Sequence, residues 1–150
     1  MPQPPPDPGP DSPSVLAAEL RALVGTLKRR LREQADTGDL TPSQIAVLLR
    51  LERVGAATVA ALARAEGVRP QSMSTTVAAL EAAGHVHARP DPGDGRQTIL
   101  TLTDACRRLI VEGRAMRQDW LARRLAATLS PPELASLATA VRLLKRLVED

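Results

Sequence analysis

The near absence of aromatic residues is the feature that most constrains how this chain can fold. Its 150 residues include no Tyr, no Phe and a single Trp, Trp120, although hydrophobic residues make up 43% of the sequence. A core must therefore be built from Leu, Val, Ile and Ala, a mixture that favours helices over strands. The same absence excludes functions that need aromatic stacking, such as RNA-recognition sheets and stacking single-strand binders.

The charge and cysteine content narrow the class of protein further. Lys and Arg total 20 against 17 for Asp and Glu, which gives a net charge of +3. This moderate basic excess is compatible with nucleic acid as a partner. The single cysteine, Cys106, excludes an internal disulfide framework and a cysteine-based zinc site. No apolar run approaches the roughly 20 residues that span a bilayer, and no signal peptide is evident, so we expect a cytoplasmic protein without membrane contact.

The start of the chain changes from a proline-rich stretch to a helix. Residues 1–13 hold seven of the thirteen prolines and are predicted to form a disordered tail, because such a stretch cannot bury apolar surface. A helix is predicted to start near Ser12 or Ser14, with Pro13 suited to its first turn, and to reach about Ala35. Its apolar stripe consists of Leu16, Leu20, Leu23, Leu27 and Leu31.

Capping residues divide the next segment into three helices. In TPSQ, Thr41 is predicted to cap the second helix and Gln44 to complete a capping box. The residues predicted to bury this helix are Ile45, Val47, Leu48, Leu49 and Leu51. A short third helix ends at Gly67, and a fourth helix is predicted over residues 70–83. Two short helices joined by a glycine-containing turn are typical of a helix-turn-helix. The inner face of the fourth helix is predicted to contain Met73, Val77 and Leu80.

A predicted hairpin directly follows the fourth helix. Residues 85–89 and 96–102 alternate in the manner of strands and flank a turn rich in Pro, Asp and Gly at residues 90–95. A helix-turn-helix followed at once by a hairpin is a winged helix. Thr103 then caps a long helix that reaches about Leu129, or roughly 40 Å.

The terminal helices expose more apolar surface than one short chain can cover. A last helix begins after Ser130, and its apolar residues recur in a heptad pattern. This favours a homodimer; the alternative is that the terminal helices pack on each other within one chain. The predicted fold is mainly α, a winged helix-turn-helix with a small β wing and flanking N- and C-terminal dimerisation helices. The predicted dimerisation residues are Leu16, Leu20, Leu23, Leu27, Leu137, Val141, Leu144 and Val148.

These motifs resemble the MarR family of bacterial transcriptional regulators. The resemblance covers residues 14–150 and is carried by LTPSQIAVLLRL, by TVAALARAEGVRPQSMSTTVAALEAAG and above all by GHVHARPDPGDGRQTILTLT. The last segment is similar to the strand, wing and strand of the family and contains its Asp-x-Arg pair, here Asp94 and Arg96. The order of helices, one before the DNA-binding lobe and two after it, also matches.

The resemblance implies a function as well as a fold. It implies a homodimer that binds a palindromic or near-palindromic operator in double-stranded DNA and usually represses a nearby gene. It also implies a small-molecule effector, for which we expect an anionic aromatic compound near residues 40–51 and 103–120. The implied domain structure is one domain of residues 14–150, with dimerisation helices at 14–36 and 104–150 and a DNA-binding lobe at 40–103.

The outer face of the fourth helix is expected to enter the major groove. Gln71 and Thr75 point away from the predicted core, and Ser72 and Ser74 lie on the flanks. Gln can bond adenine with two hydrogen bonds, and hydroxyls can contact bases or phosphates; the alternative is an ordinary solvated surface. Relatives often carry a basic residue where this chain has Thr75. Arg69, at the start of the helix, is expected to compensate by binding phosphate.

The wing, residues 86–102, is expected to supply more of the binding. Arg96 is predicted to reach the minor groove, where the negative potential favours a guanidinium. Asp94 is expected to orient Arg96 or to brace the loop, and the alternative is that the two form a purely structural pair. Arg89, at the end of the first strand, is a candidate for a phosphate contact. Three further arginines are interpreted as solvated surface residues: Arg50, Arg53 and Arg64.

The remaining polar motifs do not indicate catalysis. His85 and His87 lack an evident third ligand, so no metal is expected. Cys106 is predicted to be a small buried residue, and a redox-sensing regulator that uses Cys106 is an alternative. Trp120 is expected in the packing of the dimer region. Because no phosphate-binding glycine loop, nucleophile triad or paired carboxylate motif is present, neither an enzyme nor a cofactor is expected. A winged-helix module that binds proteins is an alternative of another class.

Overall fold

The computed structural model describes Gly9, residues 12–35 and residues 38–149. These residues form a mainly α fold with a small antiparallel sheet, as predicted. The chain divides into a helical unit, Met1–Ala35 with Ala115–Asp150, and a winged-helix unit, Asp36–Arg114. The elements are α1 Pro13–Arg32, α2 Pro42–Val54, β1 Ala56–Thr58, α3 Val59–Glu66, α4 Pro70–Ala82, β2 Val86–Pro90, β3 Thr98–Leu102, α5 Asp104–Thr128 and α6 Pro131–Lys145.

The first helix begins after Ser12, the earlier of its two predicted starts, and ends sooner than predicted. The Ser12 hydroxyl accepts a hydrogen bond from the Val15 N–H at 3.4 Å, so Pro13 is already the first residue of α1. The helix ends at Arg32 rather than near residue 35, because the Gln34 N–H bonds to the carbonyl of Leu31 in a tighter turn. The predicted disordered tail lies, apart from Gly9, Ser12 and Pro13, outside the described residues.

Local capping interactions set the ends of the central helices. Thr41 and Gln44 form the predicted capping box, in which the Thr41 hydroxyl accepts from the Gln44 N–H at 3.2 Å and the Gln44 amide oxygen accepts from the Thr41 N–H at 2.8 Å. The turn between α3 and α4 begins at Gly67, whose φ of +65° is accessible to glycine without a steric penalty. There the Val68 N–H bonds to the carbonyl of Ala63 at 3.0 Å, which closes the end of α3.

The sheet has the strand order β1–β3–β2, with both pairs antiparallel. The strand β1 is absent from the predicted elements; it pairs with β3 so that Thr58 lies opposite Ile99. The first wing strand begins at Val86 rather than at residue 85, because the His85 N–H bonds to the Leu80 carbonyl at the end of α4. The prediction that the second wing strand begins at residue 96 is also wrong. Arg96 lies in the loop, and β3 begins at Thr98.

The core lies in the winged-helix unit. The predicted inner face of α4 is confirmed, since Met73, Val77 and Leu80 are all buried. The expectation that Leu49 is buried in α2 is wrong, because 48% of this residue is exposed. The core cluster consists of Val47, Leu48, Leu51, Leu62, Ala63, Met73, Val77, Leu80, Val86, Leu100, Leu102 and Cys106.

The helical unit has no comparable core among its described residues. Neither α1 nor α6 contains a buried residue, and Ala35 is the only buried residue of the described parts of the unit. The large hydrophobic residues that it exposes are Leu16, Leu23, Val24, Met116, Leu137, Val141, Leu143, Leu144, Leu147 and Val148.

Candidate nucleic-acid interface

The predicted major-groove residues lie on the solvent side of α4. Because Met73, Val77 and Leu80 anchor the opposite face in the core, the helix presents its polar residues outward. Four side chains on this polar face are exposed: Gln71, Ser72, Ser74 and Thr75.

The hydroxyl groups on α4 bond to the helix itself. Ser74 donates to the Pro70 carbonyl at 3.0 Å, and Thr75 donates to the Gln71 carbonyl at 3.2 Å. A hydroxyl has one proton and two lone pairs, so these oxygens are left as acceptors. In this rotamer they suit the amino groups of cytosine or adenine, whereas a phosphate contact requires the hydroxyl to rotate.

The N-terminus of α4 has no side-chain cap. Arg69 occupies the N-cap position, where Ser, Thr, Asp and Asn are the usual residues, and its side chain makes no capping hydrogen bond. The side chain is exposed. Backbone N–H groups at an uncapped helix start favour a negatively charged partner, and the Arg69 guanidinium adds a positive charge there.

The wing loop is braced by Asp94 through the backbone. One carboxylate oxygen of Asp94 accepts from the Arg96 N–H at 3.1 Å, and the other accepts from the Gln97 side-chain amide at 3.3 Å. The Asp91 N–H closes the loop on the Gln97 carbonyl at 2.8 Å. Asp94 therefore holds the loop around Arg96, while the Arg96 guanidinium forms no ion pair with any described residue. The third predicted wing residue, Arg89, is exposed on β2.

Two other arginines of the winged-helix unit are neutralised within the unit. Arg50 on α2 bonds to the carboxylate of Glu66 at the end of α3, an ion pair that links the two helices. Arg114 forms two hydrogen bonds to the carboxylate of Glu52, at 3.1 and 2.9 Å.

The structure adds Arg64 to the candidate interface, although the sequence alone indicates a solvated surface residue. Arg64 of α3 lines a pocket of about 470 Å³ together with Arg96. The pocket exists because β1 brings the start of α3 beside β3. In the sequence, the only indication of this pocket is the AAT segment of β1, which is too short to show the alternation of a strand.

Cys106 is buried, as predicted, and its surroundings disfavour the thiolate. Only 1% of the residue is exposed, and its backbone N–H donates to the Thr103 hydroxyl at 3.1 Å. Burial raises the pKa of the Cys106 thiol, although the nearby charge of Arg107 partly opposes this effect. Because the thiolate is the form that reacts with oxidants, this environment gives no support to redox sensing.

Two further findings concern the histidines and the helices of the described part of the chain. His85 is half-buried and His87 is exposed, and no group of three His, Cys, Asp or Glu side chains there is placed to hold a metal ion. None of the described helices combines the length and the hydropathy needed to cross a bilayer.

Comparison with known proteins identifies the family. The MarR family model matches residues 38–97. The HTH-type transcriptional regulator Mb0904 of Mycobacterium bovis is 39% identical over 140 residues, which cover 93% of this chain and 97% of the relative. A crystal structure from Pseudomonas aeruginosa PA01 has a TM-score of 0.78 and 38% identity over 90% of this chain and 94% of that one. The F27L mutant of MepR from S. aureus, bound to an oligodeoxyribonucleotide, shares the fold with a TM-score of 0.70 at 19% identity, over 89% of this chain and 98% of its own. The chain therefore belongs to the MarR family of helix-turn-helix transcriptional regulators, which bind DNA and are not enzymes.

Proposed function

We propose that the protein is a homodimeric repressor that binds a palindromic or near-palindromic operator in the cytoplasm. The observation that carries the proposal is the exposed polar face of α4 beside a wing whose Arg96 guanidinium has no ion-pair partner among the described residues. The oligonucleotide complex of MepR, a protein of the same fold, supports the same use of the fold.

Specificity and affinity are assigned to different parts of the winged-helix unit. Gln71 has a side-chain amide that matches the donor and acceptor edge of adenine, so it is the leading candidate for base recognition. Ser72, Ser74 and Thr75 are expected to contact bases or phosphates beside it. Arg96 is expected at the minor groove. The guanidiniums of Arg69 and Arg89 are expected to bind phosphates, which position the protein without selecting a sequence.

Dimerisation is assigned to the helical unit. Neither α1 nor α6 contains a buried residue, and both expose large apolar residues, as expected of a surface that a partner covers. A second copy places two recognition helices on one duplex, about 34–36 Å apart for half-sites one turn apart. The interface is proposed to include Leu16, Leu20, Leu23, Leu27, Leu137, Val141, Leu144 and Val148.

A small anionic or aromatic effector is proposed to release the operator. Such a ligand needs only a differential affinity of about 1–3 kcal/mol between the bound and free states of the regulator. The membership in the MarR family supports this part of the proposal, as it supports repression.

The test is selection of bound duplexes from a random pool, followed by measurement of Kd for the selected site with two arms and with one arm. We expect a motif with two related arms and much weaker binding of the single arm. Binding that shows no sequence preference and no dependence on salt would instead favour a protein-interaction module, because phosphate contacts release counterions.

A further inference from the structure

We propose that the pocket between the start of α3 and the base of the wing binds a phosphate group, held by Arg64 and Arg96. If the ligand is a phosphate of the DNA backbone, the inference rests on the proposed function, and it adds Arg64 to the proposed DNA interface. A free phosphate in solution has the same chemistry, and a phosphate titration without DNA distinguishes it from a phosphate of the DNA backbone.

The pocket is built by residues that are far apart in the sequence. The ladder between β1 and β3 places Thr58 opposite Ile99, so the first turn of α3 lies next to Thr98 at the start of β3. The Asp94 brace holds Arg96 in the wing loop at the other side. Arg64 follows Ala60 by one helical turn and so lies on the same face of α3. The lining residues are Thr58, Val59, Ala60, Arg64, Arg96, Gln97 and Thr98.

The lining is positively charged and contains no carboxylate. Neither Arg64 nor Arg96 forms an ion pair with a described residue, whereas Arg50 and Arg114 of the same unit do. Two guanidiniums that line the same pocket repel each other, and an anion bound between them attracts both and offsets this repulsion. A phosphate is the anion whose oxygens match the donor geometry of a guanidinium.

Neutral donors in the pocket favour the same class of ligand. The Thr58 hydroxyl accepts from the Ala61 N–H at 3.1 Å, and the two preceding helical residues, Val59 and Ala60, line the pocket. The first N–H groups of a helix lack intrahelical acceptors and favour anions. Thr98 adds a hydroxyl, and Gln97 adds the second N–H of an amide whose other N–H donates to Asp94 at 3.3 Å.

The size and openness of the pocket favour a phosphate that belongs to a larger molecule. Its volume of about 470 Å³ exceeds that of a single phosphate ion. Arg64, Arg96, Gln97 and Thr98 are all exposed, so the pocket is accessible to an extended ligand. A backbone segment of duplex DNA fits these conditions, and Arg96 then contacts the backbone at the edge of the minor groove.

The experiment compares Arg64→Ala with Arg108→Ala, which removes the same charge from an exposed position of α5 outside the pocket. Duplex binding is measured over a range of salt concentrations. We expect Arg64→Ala to reduce the slope of log K against log salt by about one unit, and Arg108→Ala to leave it unchanged. Arg64→Lys, which keeps the charge, should restore most of the slope.

The second measurement adds inorganic phosphate to the protein without DNA and follows the amide resonances of Val59 and Ala60. If Arg64→Ala reduces the salt slope but phosphate does not shift the Val59 and Ala60 resonances of the wild-type protein, the ligand is a phosphate of the DNA backbone. If phosphate shifts these resonances in the wild-type protein but not in Arg64→Ala, the pocket also binds a free anion. If Arg64→Ala behaves like Arg108→Ala in both measurements, the pocket does not bind phosphate. If the wild-type protein binds no duplex, the proposed function fails and the phosphate titration alone decides the inference.

Discussion

The two units of this protein differ in where their apolar side chains lie. In the winged-helix unit, the apolar faces of α2, α3 and α4 pack against the sheet. The completely buried leucines are Leu51, Leu62, Leu80 and Leu100. In the described part of the helical unit, α1 and α6 are amphipathic but contain no buried residue, and 62% of Leu23 is exposed. Similar amounts of Leu and Val thus produce a complete core in one unit and an incomplete one in the other.

This difference assigns separate tasks to the two units. A unit with a closed core can hold side chains such as Gln71 and Arg96 in fixed positions whether or not a partner is present. A unit with exposed apolar faces gains most of its stability only when another surface covers them.

The largest expected effect compares the same substitution in the two units. Leu51→Ala removes a fully buried side chain and should destabilise the protein by about 2–5 kcal/mol at any protein concentration. Leu23→Ala should reduce stability by an amount that depends on protein concentration, because its cost arises in the dimer. Urea unfolding at two widely separated concentrations measures both. Equal losses that do not vary with concentration would contradict the comparison.

The second prediction concerns the partner proposed for the helical unit. Wild-type protein should be a dimer by light scattering at micromolar concentration, and Leu137→Glu with Leu144→Glu should dissociate it or unfold α6, because burying two carboxylates is costly. Leu49→Glu is the control, since Leu49 is an exposed leucine of the winged-helix unit. That control should remain a dimer. A monomeric wild-type protein would remove the basis for binding paired half-sites.

A smaller effect is expected within the winged-helix unit, where affinity and specificity should separate. Arg96→Ala should weaken binding to all duplexes and reduce the salt slope by about one unit. Gln71→Ala should relax the preference at one base in each half-site, by roughly 1–3 kcal/mol. Competition assays with variant operators measure both effects. An equal loss of specificity in the two variants would show that the wing also recognises sequence.

Sequence patterns predicted the parts of this fold that depend on neighbours along the chain. The capping box of Thr41 and Gln44 and the inner face of α4 follow from local chemistry and helical periodicity, and both are present. The predicted burial of Leu49 was wrong because Leu49 lies at the edge of the apolar stripe of α2, where helical periodicity alone does not decide whether a residue is buried. The strand β1 could not be predicted, because three residues without alternation become a strand only by pairing with β3. The pocket of Arg64 and Arg96 depends on that pairing and was missed with it.

The smallest expected effect distinguishes the capping boxes of the two units. In the winged-helix unit the box uses Gln44, which does not titrate, whereas in the helical unit the Glu133 carboxylate accepts from the Ser130 hydroxyl at 2.7 Å and from its N–H at 2.8 Å. The hydroxyl bond, followed by the backbone bond, lowers the pKa of Glu133. A carboxyl whose pKa is lowered by folding stabilises the folded state above its unfolded pKa, and this contribution is lost as the pH falls through the folded pKa.

We therefore expect the start of α6 to lose its cap in acid while the start of α2 keeps its own. The Glu133 carboxyl resonance should titrate below the ordinary glutamate value in the wild-type protein and return toward it in Ser130→Ala. Glu133→Gln converts the capping box of α6 into an uncharged one of the kind that Gln44 forms at the start of α2. The stability of this variant relative to wild type should therefore rise as the pH is lowered through the Glu133 titration. An unchanged midpoint in Ser130→Ala would mean that the bonds to Ser130 do not hold the Glu133 charge, and that the two boxes respond to pH alike.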